Sequence, residues 1–356
     1  MCVLGTRPEI IKLAPVIWEM QRRHVRFLLV HSGQHYDFNL SQQFLKELRL
    51  PKPDYSIQLR NARVIPQLSE IISRLGPLLE RTRPEYLLVE GDTNTVLAAG
   101  IAANKAGIPL AHVEAGLRSY DLRMPEEHNR RIVDHLSTYL FAPTAEASRN
   151  LEREHVWGDV VVTGNTVIDA CLQHLPIALD RAKTGIHRPD GRFALATVHR
   201  AENVDDKTVL RNFVAVFKEA PIRIVLPLHP RTKKRLAQFG LLRGLLAAAN
   251  VDVIEPVGYL DFLALIYHCE LILTDSGGIQ EEATAPGIRK RVLVLRESTE
   301  RPEAVRAGFV RVVGCKKKEI LRHLSRKSLG SWKTMGQCPY GDGNAAKRII
   351  AHILEQ

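Results

Sequence analysis

Short apolar runs alternate with segments of helical periodicity from one end of the chain to the other. Residues 25–31, 86–90, 110–114, 139–142 and 160–163 read as strands in the first half. Residues 192–198, 222–227, 251–255, 271–274, 292–295 and 309–313 read as strands in the second. A very short strand also precedes Gly5. Amphipathic segments at 8–21, 94–107 and 259–268 predict helices between strands, with Pro8 placed where a first helical turn tolerates it. This alternation predicts parallel sheets covered by helices on both faces. The apolar periodicity lapses over residues 173–191, where 181–191 reads as a linker, and strand pattern restarts at Arg192. A chain of 356 residues is comfortable as two such domains. The expectation is α/β, with two Rossmann-like doubly wound domains facing a deep interdomain cleft. Ligands bind beyond the carboxyl ends of strands in open sheets of this kind.

Composition narrows the class. Hydrophobic residues make up 45% and charged residues 25%, which suits a soluble protein with a large core. No apolar run reaches the roughly 20 residues of a membrane helix. The first residues show no secretion signal, so a cytoplasmic protein is expected. The net charge of +11 is spread along the chain without interleaved aromatics, which argues against nucleic acid. An anionic small molecule would use only a few of these charges. Five scattered cysteines form no C-x-x-C pair and read as free thiols, and no histidines have metal-ligand spacing. No metal is expected.

Four loops carry polar and glycine residues directly after apolar strands. In the first, Gly5-Thr6-Arg7-Pro8-Glu9-Ile10-Ile11-Lys12, Gly5 permits a tight turn, Arg7 can fork onto phosphate, and Lys12 follows about a turn later. In the second, Glu90-Gly91-Asp92-Thr93, Asp92 stands at a strand end, where it caps a helix or does chemistry. The third sets Glu114 at another strand end and then Glu126 and Glu127 at a helix start. Three acids at one sheet edge suit proton transfer, although paired acids at a helix start also suit its dipole. The fourth, Thr274-Asp275-Ser276-Gly277-Gly278-Ile279-Gln280-Glu281-Glu282, offers backbone N–H groups of Ser276, Gly277 and Gly278 to phosphate and Glu282 to ribose hydroxyls. His199 and His229 end two further strands. His199 is a phosphate donor or a proton-transfer group, and for both the alternative is a satisfied structural histidine.

These segments together resemble the non-hydrolysing UDP-N-acetylglucosamine 2-epimerases. The matching pieces are G-T-R-P-E-I-I-K, G-D-T-N-T, H-V-E-A-G-L-R-S, P-E-E-H-N-R-R, F-A-P-T, V-T-G-N-T-V-I-D, H-R-A-E-N, T-D-S-G-G-I-Q-E-E, E-R-P-E-A-V and C-P-Y-G-D-G-N-A. They run in the family's order from residue 5 to about 345. The resemblance implies a GT-B-like fold in which residues 1–177 carry the catalytic acids, joined by a C-terminal helix at 344–356, and residues 190–343 bind UDP. It implies that Arg7, His199, Ser276, Gly277, Gly278 and Glu282 belong to the UDP site. It places Lys12, Asp92, Glu114, Glu126 and Arg301 near the reacting sugar, with Arg301 suited to a phosphate or carboxylate partner and His199 also able to move protons.

The implied reaction is reversible C2 epimerisation of UDP-GlcNAc to UDP-ManNAc. The C2 proton is not acidic, so the family eliminates UDP to 2-acetamidoglucal and adds it back with a proton on the other face. No cofactor is needed, the expected partner is a second copy of the chain, and the product serves cell-surface polysaccharide synthesis. Neighbouring readings are a 2-epimerase of a UDP-2,3-diacetamido uronic acid, a hydrolysing epimerase, a GT-B glycosyltransferase and a non-catalytic sugar-nucleotide sensor. The three acids weigh against the last two. Four features depart from the family pattern. The chain starts just before Gly5, which should weaken that edge of the sheet. Ala201 replaces an arginine, residues 285–291 form a longer stretch, and Gln34-His35-Tyr36-Asp37 differs from members activated by a second UDP-GlcNAc.

Overall fold

The computed structural model describes residues 1–34, 44–59, 63–185, 191–332 and 336–356. The chain forms two compact units, one of residues 1–173 with 340–356 and one of residues 174–339. Each is built on one parallel sheet, as the strand–helix alternation requires.

The first sheet has seven strands: β1 (Cys2–Leu4), β2 (Leu29–His31), β3 (Tyr55–Ser56), β4 (Leu87–Glu90), β5 (Leu110–Val113), β6 (Tyr139–Ala142) and β7 (Asp159–Val162). Their order is β3-β2-β1-β4-β5-β6-β7. The second has six: β8 (Phe193–Thr197), β9 (Arg223–Pro227), β10 (Val251–Ile254), β11 (Leu271–Thr274), β12 (Arg291–Val294) and β13 (Val310–Val312), in the order β10-β9-β8-β11-β12-β13. Central strands β4, β5, β8 and β11 are buried along their whole length, hence their unbroken apolar runs. In both sheets the order reverses beside the first strand, between β1 and β4 and between β8 and β11. Such switch points open a crevice at the carboxyl ends of the strands.

Helices of the first unit are α1 (Arg7–Arg22), α2 (Val64–Thr82), α3 (Asn94–Ala106), α4 (Pro125–Leu136), α5 (Ala145–Arg153) and α6 (Thr166–Gly185), the last of which runs on into the second unit. Local sequence sets their ends. The Thr93 hydroxyl accepts from the Val96 amide at the start of α3, and Gly107 closes it at φ 67°. The second unit has α7 (Ala201–Val204), α8 (Lys207–Glu219), α9 (Pro230–Gln238), α10 (Leu242–Leu246), α11 (Tyr259–His268), α12 (Gly277–Glu282), α13 (Pro302–Arg306), α14 (Lys317–Leu324) and α15 (Arg326–Gly330). The last helix, α16 (Ala345–Glu355), packs on α1 of the first unit. Buried Asp169 accepts from the amides of Ala345 and Ala346 at 3.2 and 2.9 Å and fastens its N-terminus.

The structure corrects three expectations. The strand expected at 25–31 forms only over Leu29–His31. The first strand is not at an edge, because β1 pairs with β2 on one side and β4 on the other. The lapse expected from residue 173 is helical through Gly185, with Pro176 inside α6. Residues 186–190 of the expected linker, and His35 to Asp37, lie outside the described residues.

Candidate active site

At the switch point of the first sheet, α1 starts from β1 and lays Lys12 beside the ends of β4 and β5. The Lys12 ammonium contacts Glu114 Oε2 and stands 3.3 Å from Glu90 Oε1. The Asn165 amide donates to the same Glu114 oxygen at 2.9 Å. All four side chains are buried. Glu114 sits at φ 69°, a left-handed conformation that few non-glycine residues adopt and that concentrates at functional sites. One turn before Lys12, Glu9 accepts from the Gly5 amide and the Thr6 hydroxyl, both at 2.7 Å. Burial pushes Glu9 up to about 7 against the pull of the Thr6, Thr93 and Gly5 hydrogen bonds.

Asp92 lies on the loop after β4. Arg130 Nε donates to its Oδ2 at 2.9 Å and Asn129 Nδ2 to its carbonyl at 2.8 Å, so α4 holds both ends of the residue. The carboxylate remains 30% exposed, enough to meet a ligand. His112 stiffens the same loop, with Nε2 2.8 Å from Gly91 O and Nδ1 2.8 Å from buried Asp134. Of the two acids at the start of α4, Glu126 is half-buried and Glu127 is fully buried. Glu127 accepts from the Ser119 amide and hydroxyl and from Arg130 at 2.5 Å. Burial raises Glu127, but these donors outweigh it and hold its carboxyl below the ordinary range. Among the described residues, no hydrogen bond joins Glu126 to Asp92 or Glu114. The structure therefore brings Lys12 and Glu114 into contact and ties Asp92 to α4.

The switch point of the second sheet carries the other candidates. Asp275, fully buried after β11, accepts from the amides of His199 and Arg200 and from Asn203 Nδ2. Its Oδ1 lies 3.5 Å from His199 Nδ1, and the His199 ring is 36% exposed beside the His229 ring at 5.5 Å. The Ser276 amide donates to Thr274 Oγ1 at 3.0 Å and is already engaged. A Cβ on Gly277 would stand 2.5 Å from Glu300 Oε1, whereas one on Gly278 would meet nothing within 4 Å. Glu282 is buried on α12. Arg301 finds its carboxylate partner in buried Glu281. Glu300 accepts from Arg296 at 2.6 Å and Arg200 at 3.2 Å. Burial works against its charge, yet Arg301, Arg296 and Arg200 pull it down to about 2. Arg7, in the first unit, lays its guanidinium 4.7 Å from the Phe44 ring centroid.

Glu9, Glu90 and Asp275 fall inside the sequence motifs but carry no predicted role there. Thr6 and Glu9 have capping-box spacing, which could have flagged Glu9, although its carboxylate reaches the Gly5 amide. Asp275 opens the S-G-G turn at a strand end. Nothing local marks Glu90 as a neighbour of Lys12.

A family model described as UDP-N-acetylglucosamine 2-epimerase matches residues 19–354. A UDP-N-acetylglucosamine 2-epimerase of Methanocaldococcus jannaschii is 42% identical, over 98% of this chain and 96% of its own. The crystal structure of Methanocaldococcus jannaschii UDP-GlcNAc 2-epimerase in complex with UDP-GlcNAc and UDP is similar with a TM-score of 0.91 at 40% identity, covering 100% of this chain and 99% of that one. A UDP-2,3-diacetamido-2,3-dideoxy-D-glucuronate 2-epimerase of Pseudomonas aeruginosa is 38% identical, over 100% of this chain and 99% of its own.

Proposed function

The chain belongs to the UDP-N-acetylglucosamine 2-epimerase family, and on that footing we propose that it interconverts UDP-GlcNAc and UDP-ManNAc by exchanging the proton at C2 of the sugar. The observation that carries this is the buried Lys12–Glu114 pair at the end of β5, beside the loop that holds Asp92. Removing a poorly acidic proton needs carboxylates held in a fixed orientation, and Lys12 and Asn165 hold Glu114 while Arg130 holds Asp92. In the forward direction the C1–O bond to UDP breaks as the C2 proton leaves, giving 2-acetamidoglucal. UDP then adds back at C1 while a proton reaches the opposite face of C2. Asp92 and Glu114 are the two acid–base groups, with Glu126 at the start of α4 as the third. Lys12 fixes the Glu114 carboxylate and stabilises its charge.

The second unit binds UDP. Gly277 and Gly278 give their amides to the diphosphate, and Glu282 accepts from the ribose. His199, oriented by Asp275, donates to the departing phosphate, a charge that also draws Arg7. Arg301 supports this turn through Glu281. The protein works as a cytoplasmic homodimer that supplies ManNAc-type sugars for cell-surface polysaccharide, a reading that rests on the family resemblance. Light scattering at twice the chain mass tests the dimer.

The protein is offered UDP-GlcNAc, UDP-ManNAc and a UDP-2,3-diacetamido uronic acid in separate reactions, and anomeric proton signals are followed. The same UDP-GlcNAc/UDP-ManNAc mixture should be reached from either side. Turnover of the uronic acid alone would reassign the substrate, and free ManNAc with UDP would make the enzyme a hydrolysing one.

A further inference from the structure

Lys12 is one cation among more carboxylates than it can neutralise. Its ammonium contacts Glu114 Oε2 and lies 3.3 Å from Glu90 Oε1, and all three residues are buried. The placement follows from strand register. Glu90 closes β4 opposite Val113 of β5, so Glu114 is the next residue on the neighbouring strand, and α1 drops Lys12 beside both ends. The two carboxylates are not equivalent. Glu114 is held by Lys12 in direct contact and by Asn165 at 2.9 Å, while Glu90 stands farther from the ammonium. With both acids ionised the cluster would carry an excess negative charge away from water, and burial disfavours such charge strongly.

We propose that Glu90 is a positioning residue for the epimerisation: buried 3.3 Å from Lys12 and facing Glu114, it keeps its proton and thereby leaves the Lys12 ammonium committed to Glu114. Among the described residues, the charged groups that act on it are Lys12 and Glu9 of α1 and Glu114 beyond β5, with His112 of β5 turned instead to Gly91 O and Asp134. Burial raises Glu90 well above the ordinary carboxylate range. Lys12 pulls it back, and Glu114 and Glu9 push it up again. As pH rises and Glu90 loses its proton, a second carboxylate competes for Lys12, the hold on Glu114 loosens, and activity falls on the alkaline side.

This rests on the reading that Glu114 exchanges the C2 proton, so the experiment separates the two claims. Rates of deuterium exchange at C2 of UDP-GlcNAc are measured across pH for the wild type, Glu90→Gln and Glu114→Gln. In parallel, carboxyl carbons of glutamate-labelled wild type, Glu90→Gln and Glu90→Asp are titrated by NMR. Glutamine cannot ionise, so the Glu90→Gln alkaline limb should move upward, its rate ratio between about pH 9 and about pH 7 exceeding the wild-type ratio roughly ten-fold. Two wild-type glutamate carboxyl resonances, those of Glu9 and Glu90, should titrate above the ordinary range, and one of them should vanish in both Glu90 variants. The same alkaline fall in Glu90→Gln as in wild type overturns the proposal, as does a titration in which no raised resonance is lost from the Glu90 variants. If Glu90→Gln fails to fold, comparison of wild type with Glu90→Asp decides the matter, since only the Glu90 resonance is lost there. Full exchange by Glu114→Gln would instead sink the role of Glu114, with the protonation of Glu90 still read from its resonance.

Discussion

Glu126 and Glu127 are neighbours in the chain with opposite surroundings. Glu127 is locked under Ser119 and Arg130, whereas Glu126 is half-buried on the same turn. Glu127→Ala should therefore leave Arg130 with Asp92 as a remaining carboxylate partner and cost roughly 1–3 kcal/mol, read as a drop in Tm. Glu126→Gln should leave Tm in place and lower kcat by roughly 100-fold. Glu9 makes a prediction in pH. Its carboxyl is raised from an ordinary 4.5 to about 7, so the folded chain holds this proton more tightly than the unfolded one. Its contribution to stability then declines as pH rises from 4.5 through about 7. Glu9→Gln should match wild type in Tm at about pH 4 and exceed it at about pH 8, by up to about 3 kcal/mol. The reverse order at alkaline pH would mean that the carboxylate is stabilising. At this scale the sequence marks residues and not partners. Lys12 and Glu114 are 102 positions apart, and the resemblance set both near the reacting sugar without showing that they touch.

Elements were legible where burial makes the pattern continuous. β6, β11 and α11 fall on the expected residues because their apolar runs have sharp polar ends. β3 is two residues long, too short for any period to show. The extent of α6 was hidden by Pro176, which lies inside the helix. The turn into α12 gives a contrast between adjacent glycines. Gly277→Ala drives a methyl to 2.5 Å from Glu300 Oε1 and should weaken UDP binding at least ten-fold by calorimetry, whereas Gly278→Ala has room and should keep its wild-type Tm. At the far end of the chain, Asp169→Ala should cost about 1–2 kcal/mol, the usual value of an N-terminal cap, and speed amide exchange across Ala345–Glu355. Unchanged exchange there would show that packing on α1 alone holds the helix.

For the whole molecule, two sheets are wound alike, and each brings its candidate residues to its own switch point. Fold class and motif order were open to sequence reading because doubly wound sheets repeat one pattern along the chain. The carboxylate network around Lys12 was not, because it is assembled from α1, β4, β5 and the loop at Asn165. The central claim is that these groups break and remake the C2–H bond. It is tested most directly by incubating the protein with UDP-GlcNAc in deuterated water, without added metal, and following C2 by proton NMR. UDP-ManNAc carrying deuterium at C2 is the expected product. UDP-ManNAc that keeps its original proton, or UDP binding with no exchange and no new sugar, would contradict that claim.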